Sequence, residues 1–208
     1  MGRIHIETFC SLDLVGQAPG GPDEDLSGGF ALGGWQAPLI DDVVGEHILR
    51  GMAGVDALLL GRRTYDIFAA YWPRYSGGED SAIAELFNRI PKYVASRGAP
   101  SLGWAGSTQL GPDLAEELRR LRERHQKIYV PGSLGLVRTL VAEGLYDRLT
   151  LFVHPLVLGT GKRVLDDDGT ASGLHLTEPA VTSPSGVVVL RYAPAGAPPE
   201  TGDMMSRG

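Results

Sequence analysis

Two short stretches, Leu60-Gly61-Arg62-Arg63-Thr64-Tyr65 and Val130-Pro131-Gly132-Ser133-Leu134-Gly135, combine residue types that can bind phosphate. Each follows an apolar run that reads as a buried strand, and each opens an amphipathic helical pattern. A strand that ends in Gly and turns into a helix aims unpaired backbone N–H groups at one spot, where the helix dipole favours anions. Gly61 lets a ligand approach the backbone, Thr64 offers a hydroxyl, and Arg62 or Arg63 can fork onto a phosphate. The plainer alternative is a solvated pair of arginines at a helix end. Ser96-Arg97 closes a third strand pattern and adds a hydroxyl and a guanidinium at the same rim of a parallel sheet. At the second turn, Gly132 and Ser133 match neither G-x-G-x-x-G nor a P-loop, and Ser133 also reads as an ordinary helix cap. Three strand ends that agree point to a ligand carrying phosphates in more than one place, as a nucleotide cofactor does. Gly159 and Gly161, in Leu158-Gly159-Thr160-Gly161-Lys162, read either as a plain turn or as a further part of that site.

Acid–base candidates are fewer. Asp13 ends the first strand pattern, where it can hold a substrate N–H or simply close its own turn. Asp41 follows Trp35-Gln36-Ala37-Pro38 and reads as a catalytic acid or as the cap of the next helix. The run Asp166-Asp167-Asp168-Gly169 lacks the alternation and closing Glu of a calcium loop and reads as a solvated turn. The five histidines show no metal-ligand spacing, His154 before Pro155 reads as structural, and no metal is expected. Ser11 and Ser133 lack the G-x-S-x-G elbow of a hydrolase. Cys10, the single cysteine, reads as a buried inert thiol.

The elements that must position these groups alternate. Strand patterns are expected at Ile4 to Leu14, Val55 to Leu60, Lys92 to Ser96, Lys127 to Val130, Leu149 to Val153 and Val187 to Leu190. Helices are expected from Asp41 to about Ala53, Thr64 to Tyr71, Ala82 to Asn88, Pro112 to Arg124 and Leu134 to Glu143. Val15 to Pro38 is Gly-, Pro- and Asp-rich, a long loop of the kind that closes over a site. The chain has 208 residues, 43% of them hydrophobic, which suits one domain of about residues 1–192; residues 193–208 read as a disordered tail. A formal charge of -6 argues against nucleic acid, and no apolar run approaches membrane-spanning length. The first residues read as a strand rather than a leader, so a cytoplasmic location is expected. The order suggests an α/β fold with a mixed, mostly parallel sheet and an antiparallel edge.

Several of these motifs occur in an order that resembles a known family. Ser11-Leu12-Asp13, Leu60 to Tyr65, Lys92-Tyr93-Val94-Ala95-Ser96-Arg97 and Gly144 through Lys162 look like stand-alone members of the dihydrofolate reductase superfamily. They are most similar to those related to the C-terminal reductase domain of bifunctional riboflavin biosynthesis enzymes. The resemblance covers about residues 3 to 192. It implies a three-layer α/β/α fold, NADPH as hydride donor, a small-molecule substrate and a homodimer. Under it, Gly61, Arg62 and Thr64 hold cofactor phosphates, with Arg63 beside them. Ser96 and Arg97 lie near the adenosine 2′-phosphate, and Gly132 and Ser133 lie under the pyrophosphate. Asp13, Ser11 and the Trp35 segment then border nicotinamide and substrate. Two departures stand out: Leu14 follows Ser-Leu-Asp where the family often has Gly, and Pro131-Gly132 replaces paired glycines, removing one N–H donor. A zinc deaminase domain, which pairs H-x-E with P-C-x-x-C, is not expected, since the sequence has a single cysteine and no P-C-x-x-C.

The reading is an NADPH-dependent reductase of a small heterocyclic substrate, pterin-, flavin- or pyrimidine-like. The rival is a nucleotide- or flavin-binding protein without turnover.

Overall fold

The computed structural model describes residues 1–78, 80–165 and 171–206. The run Asp166-Asp167-Asp168-Gly169 lies outside them. In chain order the elements are β1 (Arg3–Ser11), α1 (Asp42–Met52), β2 (Ala57–Gly61), α2 (Arg62–Tyr71), α3 (Ser81–Arg89), β3 (Lys92–Ala95) and β4 (Ser107–Gln109). They continue with α4 (Leu114–Arg124), β5 (Lys127–Gly132), α5 (Leu134–Ala142), β6 (Arg148–His154), β7 (Leu174–Leu176), β8 (Val181–Thr182) and β9 (Val188–Pro194).

All five residues of β2 are buried, as an unbroken apolar run requires when both faces of a sheet are covered. The sheet runs β4-β3-β2-β5-β1-β6-β9-β7, with β8 also on β9. Strands β4, β3, β2, β5, β1 and β6 pair in parallel, and β9 returns antiparallel to β6. One face packs Leu118 and Leu121 of α4 and Leu136, Val137 and Leu140 of α5 on Ile4, Ile6, Leu59 and Val130. The other face packs Tyr65 of α2 and Phe87 of α3 on Leu58, Leu60 and Tyr129. Val44 of α1 packs on Phe152 and Val189 of the same sheet. The fold is therefore a three-layer α/β/α arrangement around a mixed sheet.

Several boundaries differ from the sequence pattern. β1 stops at Ser11, because Leu14 takes a left-handed φ of 64° and its N–H returns to the Ser11 carbonyl at 2.9 Å. Three strands were not expected. β4, β7 and β8 are short and largely exposed, so they carry no alternation to read. β9 continues to Pro194, and the Ala195 and Gly173 amides exchange hydrogen bonds with residues 173 and 197, so paired backbone extends past Tyr192. The loop that begins at Val15 contains one 3₁₀ turn, Ser27–Gly29, and runs into a second, Ala37–Leu39, at its end. No helix among the described residues is long and apolar enough to cross a membrane.

Candidate functional site

Parallel pairing puts the carboxyl ends of β1, β2, β3, β5 and β6 on one rim. Ser11 is opposite His154, Leu60 opposite Gly132, and Gly61 opposite Ala95. Ser96 and Arg97 therefore continue just beyond the level of Gly61, and Arg97 is exposed there.

At the centre of this rim the two phosphate-type turns interlock. A Cβ added to Gly61 would lie 2.1 Å from Ser133 Oγ, and one added to Gly132 would lie 2.7 Å from Thr64 Oγ1. Each turn thus fills the space that the other's missing side chain leaves. The Gly132–Ser133 peptide is cis. Gly61 and Ser133 are the N-caps of α2 and α5, yet neither helix has a side-chain cap or an acid in its first turn. By contrast, Asp41 caps α1 through Val44 N and Asp113 caps α4 through Glu116 N, and both helices carry acids in their first turns. Helices α2 and α5, like α3, thus have no carboxylate on their first amides, a condition that an anion site needs.

The neighbouring arginines are engaged within the chain. Arg62 Nε donates to both oxygens of Asp66, at 2.8 and 2.7 Å. Arg63 Nη1 donates to Asp25 at 3.0 and 2.9 Å and to Ser27 Oγ at 2.7 Å.

A second group ties β1 to the turn after β6. Ser11 is fully buried; its hydroxyl donates to Asp13 Oδ1 at 2.6 Å and accepts from Val15 N at 2.9 Å. Asp13 also accepts from Leu158 N at 3.0 Å and Gly159 N at 2.8 Å. The Ser11 hydroxyl, followed by those two amides, holds the Asp13 carboxyl down at about 2. It is ionised at neutral pH and acts here as a tether. Gly159 takes a positive φ of 71°. Gly161 lets the long loop come close, since a Cβ there would meet Val15 Cγ1 at 2.7 Å and Phe30 Cε2 at 2.8 Å. Gly161 thus packs on the loop, and Gly159 donates its amide to the Asp13 tether.

Trp35 lies in the same loop, buried, with its Nε1 donating to the Gln17 carbonyl at 2.8 Å. Its ring stands edge-on to His154, centroids 5.0 Å apart. His154, which reads from the sequence as structural, is fully buried. Its Nδ1 lies 3.0 Å from the Phe152 carbonyl, so that nitrogen carries the proton and Nε2 is an acceptor. Burial lowers its pKa and keeps the ring neutral. No described group donates to Nε2. The Asp41 oxygens accept from Val44 N and Ser185 N, both at 2.9 Å, and these amides, the Val44 one first, hold its carboxyl at about 2.

The sheet order and the strand-end site define a class, the α/β proteins built like dihydrofolate reductase. A dihydrofolate reductase from Enterococcus faecalis, in complex with NADP(H), superposes with a TM-score of 0.56 at 12% identity, covering 93% of this chain and 97% of that one. A pyrimidine reductase-like protein from Corynebacterium diphtheriae does so with a TM-score of 0.58 at 17% identity, covering 93% and 92%. Within that class, the family model of the RibD C-terminal domain matches residues 3–190, and the chain belongs to this family. The protein YyaP of Bacillus subtilis (strain 168), itself uncharacterized, is 29% identical over 140 residues, 66% of this chain and 73% of that one.

Proposed function

We propose that this protein is an NADPH-dependent reductase of a small heterocyclic substrate. The observation that carries this reading is the meeting at one rim of the turns at Gly61 and Gly132, packed closely on each other, with two helix N-termini that lack side-chain caps. That arrangement suits a dinucleotide's phosphates, as does the reductase fold with which it comes. The amides of α2 and α5 and the Thr64 and Ser133 hydroxyls would hold the pyrophosphate. Arg62, Arg63, Ser96 and Arg97 would hold the remaining phosphate. When bound, NADPH supplies a hydride to an acceptor carbon of the substrate.

The substrate would lie toward Ser11, Trp35 and His154. His154 Nε2 supports a heterocycle there. An unsatisfied buried acceptor costs about 1–3 kcal/mol, and a ring N–H would satisfy it. The loop carrying Trp35 would lift to admit the substrate and close to exclude water. Asp13, ionised and fixed by three donors, would hold the end of β1 to the turn after β6; a proton for the product would come from solvent. The expected assembly is a homodimer in the cytoplasm.

Calorimetry with NADPH, followed by its oxidation in the presence of candidate pterins, flavins and pyrimidines, tests the reading. Micromolar binding with turnover is expected. No binding by the folded protein overturns the reading, and binding without turnover across such substrates favours the non-catalytic nucleotide binder.

A further inference from the structure

Asp25 and Ser27 sit at the tip of a framed segment of the long loop. Gln17, only 3% exposed, donates through Nε2 to the carbonyls of Asp25 and Ser27, each at 2.9 Å, and accepts from Lys162 N through Oε1 at 2.9 Å. This brings the tip against the turn after β6. Asp25 Oδ2 accepts from Lys162 Nζ at 2.6 Å and from Arg63 Nη1 at 2.9 Å. Oδ1 accepts from Arg63 Nη1 at 3.0 Å and from the Ser27 amide and hydroxyl at 3.1 and 2.5 Å. Ser27 Oγ in turn receives Arg63 Nη1 at 2.7 Å and Lys162 Nζ.

Three oxygens, two of a carboxylate and one of a hydroxyl, are thus grasped by two cations from two different strand-end turns. A phosphoryl group presents the same inventory: several acceptor oxygens and negative charge. Arg63 lies in the first turn of α2, beside the Thr64 that packs on Gly132. Lys162 also borders a cleft of about 320 Å³ lined by Val15, Arg138 and residues 159–163. Burial alone would disfavour an ionised Asp25. The Lys162, Ser27 and Arg63 donors outweigh it and hold the carboxyl far below its usual range.

We infer that Arg63 and Lys162 form a binding site for a phosphoryl group of a ligand, and that Asp25 with Ser27 occupies this site as an internal stand-in which the ligand displaces. Loop and ligand then compete for the same two cations. The identity of that ligand as the dinucleotide rests on the function proposed above, whereas the anion site does not. The apparent affinity for phosphate is reduced by the fraction of molecules in which the tip is seated.

Titration calorimetry of the full chain with inorganic pyrophosphate tests this. Asp25→Asn is expected to bind pyrophosphate roughly tenfold or more tighter than the wild-type chain, the gain of a site seated about nine times in ten. Lys162→Gln in the Asp25→Asn background is expected to remove that gain. Ser27→Ala, which keeps the carboxylate, serves as a second variant and is expected to give a smaller tightening in the same direction. Equal affinity in wild type, Asp25→Asn and Ser27→Ala overturns the proposal, as does a gain that survives Lys162→Gln. With the pattern established, displacement of pyrophosphate by NADPH assigns the site to the cofactor, and simultaneous binding assigns it to a phosphorylated substrate. If NADPH does not bind while pyrophosphate follows the pattern, the proposed cofactor fails and the anion site stands.

Discussion

Glu7 should make the stability of the whole protein depend on pH. It lies on β1 beneath α1, only 3% exposed, in space that Gly51 leaves open: a Cβ at Gly51 would come within 2.0 Å of Glu7 Oε2. The Tyr129 hydroxyl donates to Oε1 at 3.2 Å, and Arg191, Lys127 and Arg148 act on it from farther away. Burial outweighs them all and pushes the carboxyl from 4.5 up to about 7. Between those two values the folded chain keeps a proton that the unfolded chain has released. The contribution is therefore fully present below pH 4.5, is lost as pH rises to about 7, and is level above that. At about 1.4 kcal/mol per unit, the wild-type chain should lose roughly 2–3 kcal/mol relative to Glu7→Gln between pH 5 and pH 8. Glutamine keeps the shape and an acceptor for Tyr129 but cannot ionise. Urea unfolding of both proteins across that range isolates the effect, since the other titrating groups are common to both. Glu7→Gln is expected to be nearly matched to wild type at pH 5 and clearly more stable at pH 8. Parallel profiles would refute the argument that burial governs this carboxyl.

Two further outcomes are expected at the rim. Arg62→Ala should lower the preference for NADPH over NADH about tenfold, the scale of a charge-assisted hydrogen bond; its exposed pairing with Asp66 is a weak competitor. An unchanged ratio of the two affinities by calorimetry would remove Arg62 from the 2′-phosphate. Gly61→Ala should destabilise the fold by about 1–3 kcal/mol in thermal or urea melts and weaken dinucleotide binding, because the new methyl would overlap Ser133. A normal melting temperature together with normal binding would mean that the two turns part easily.

Much of the frame was legible because its signals are local. The buried run Leu58-Leu59-Leu60 and the leucine stripe of α4 announce a strand and a helix without any tertiary information. The turns at Gly61 and Gly132 were legible for the same reason, as small residues between two periodicities. What could not be read was which turns meet. Gly61 and Ser133 are far apart in sequence, and only the parallel pairing of β2 with β5 makes one glycine the other turn's necessity. Asp25 and Lys162 are separated by 137 residues, and nothing in the composition of the long loop marks that aspartate above Asp23. Asp41 reads from the sequence as an acid or as a helix cap, and its bond from Val44 N shows the cap. Glu7 was invisible as a special group, since a charge in an alternating strand normally faces water; here α1 covers it.

The clasp between the two strand-end turns bears on how this scaffold could be altered. A lone side chain introduced at either glycine meets a hydroxyl-bearing neighbour from the opposite segment, so the two loops behave as one transplantable part. Grafting only one of them onto another α/β protein would import a gap with nothing to fill it. A successful graft would have to carry both, together with the strand register that sets them face to face.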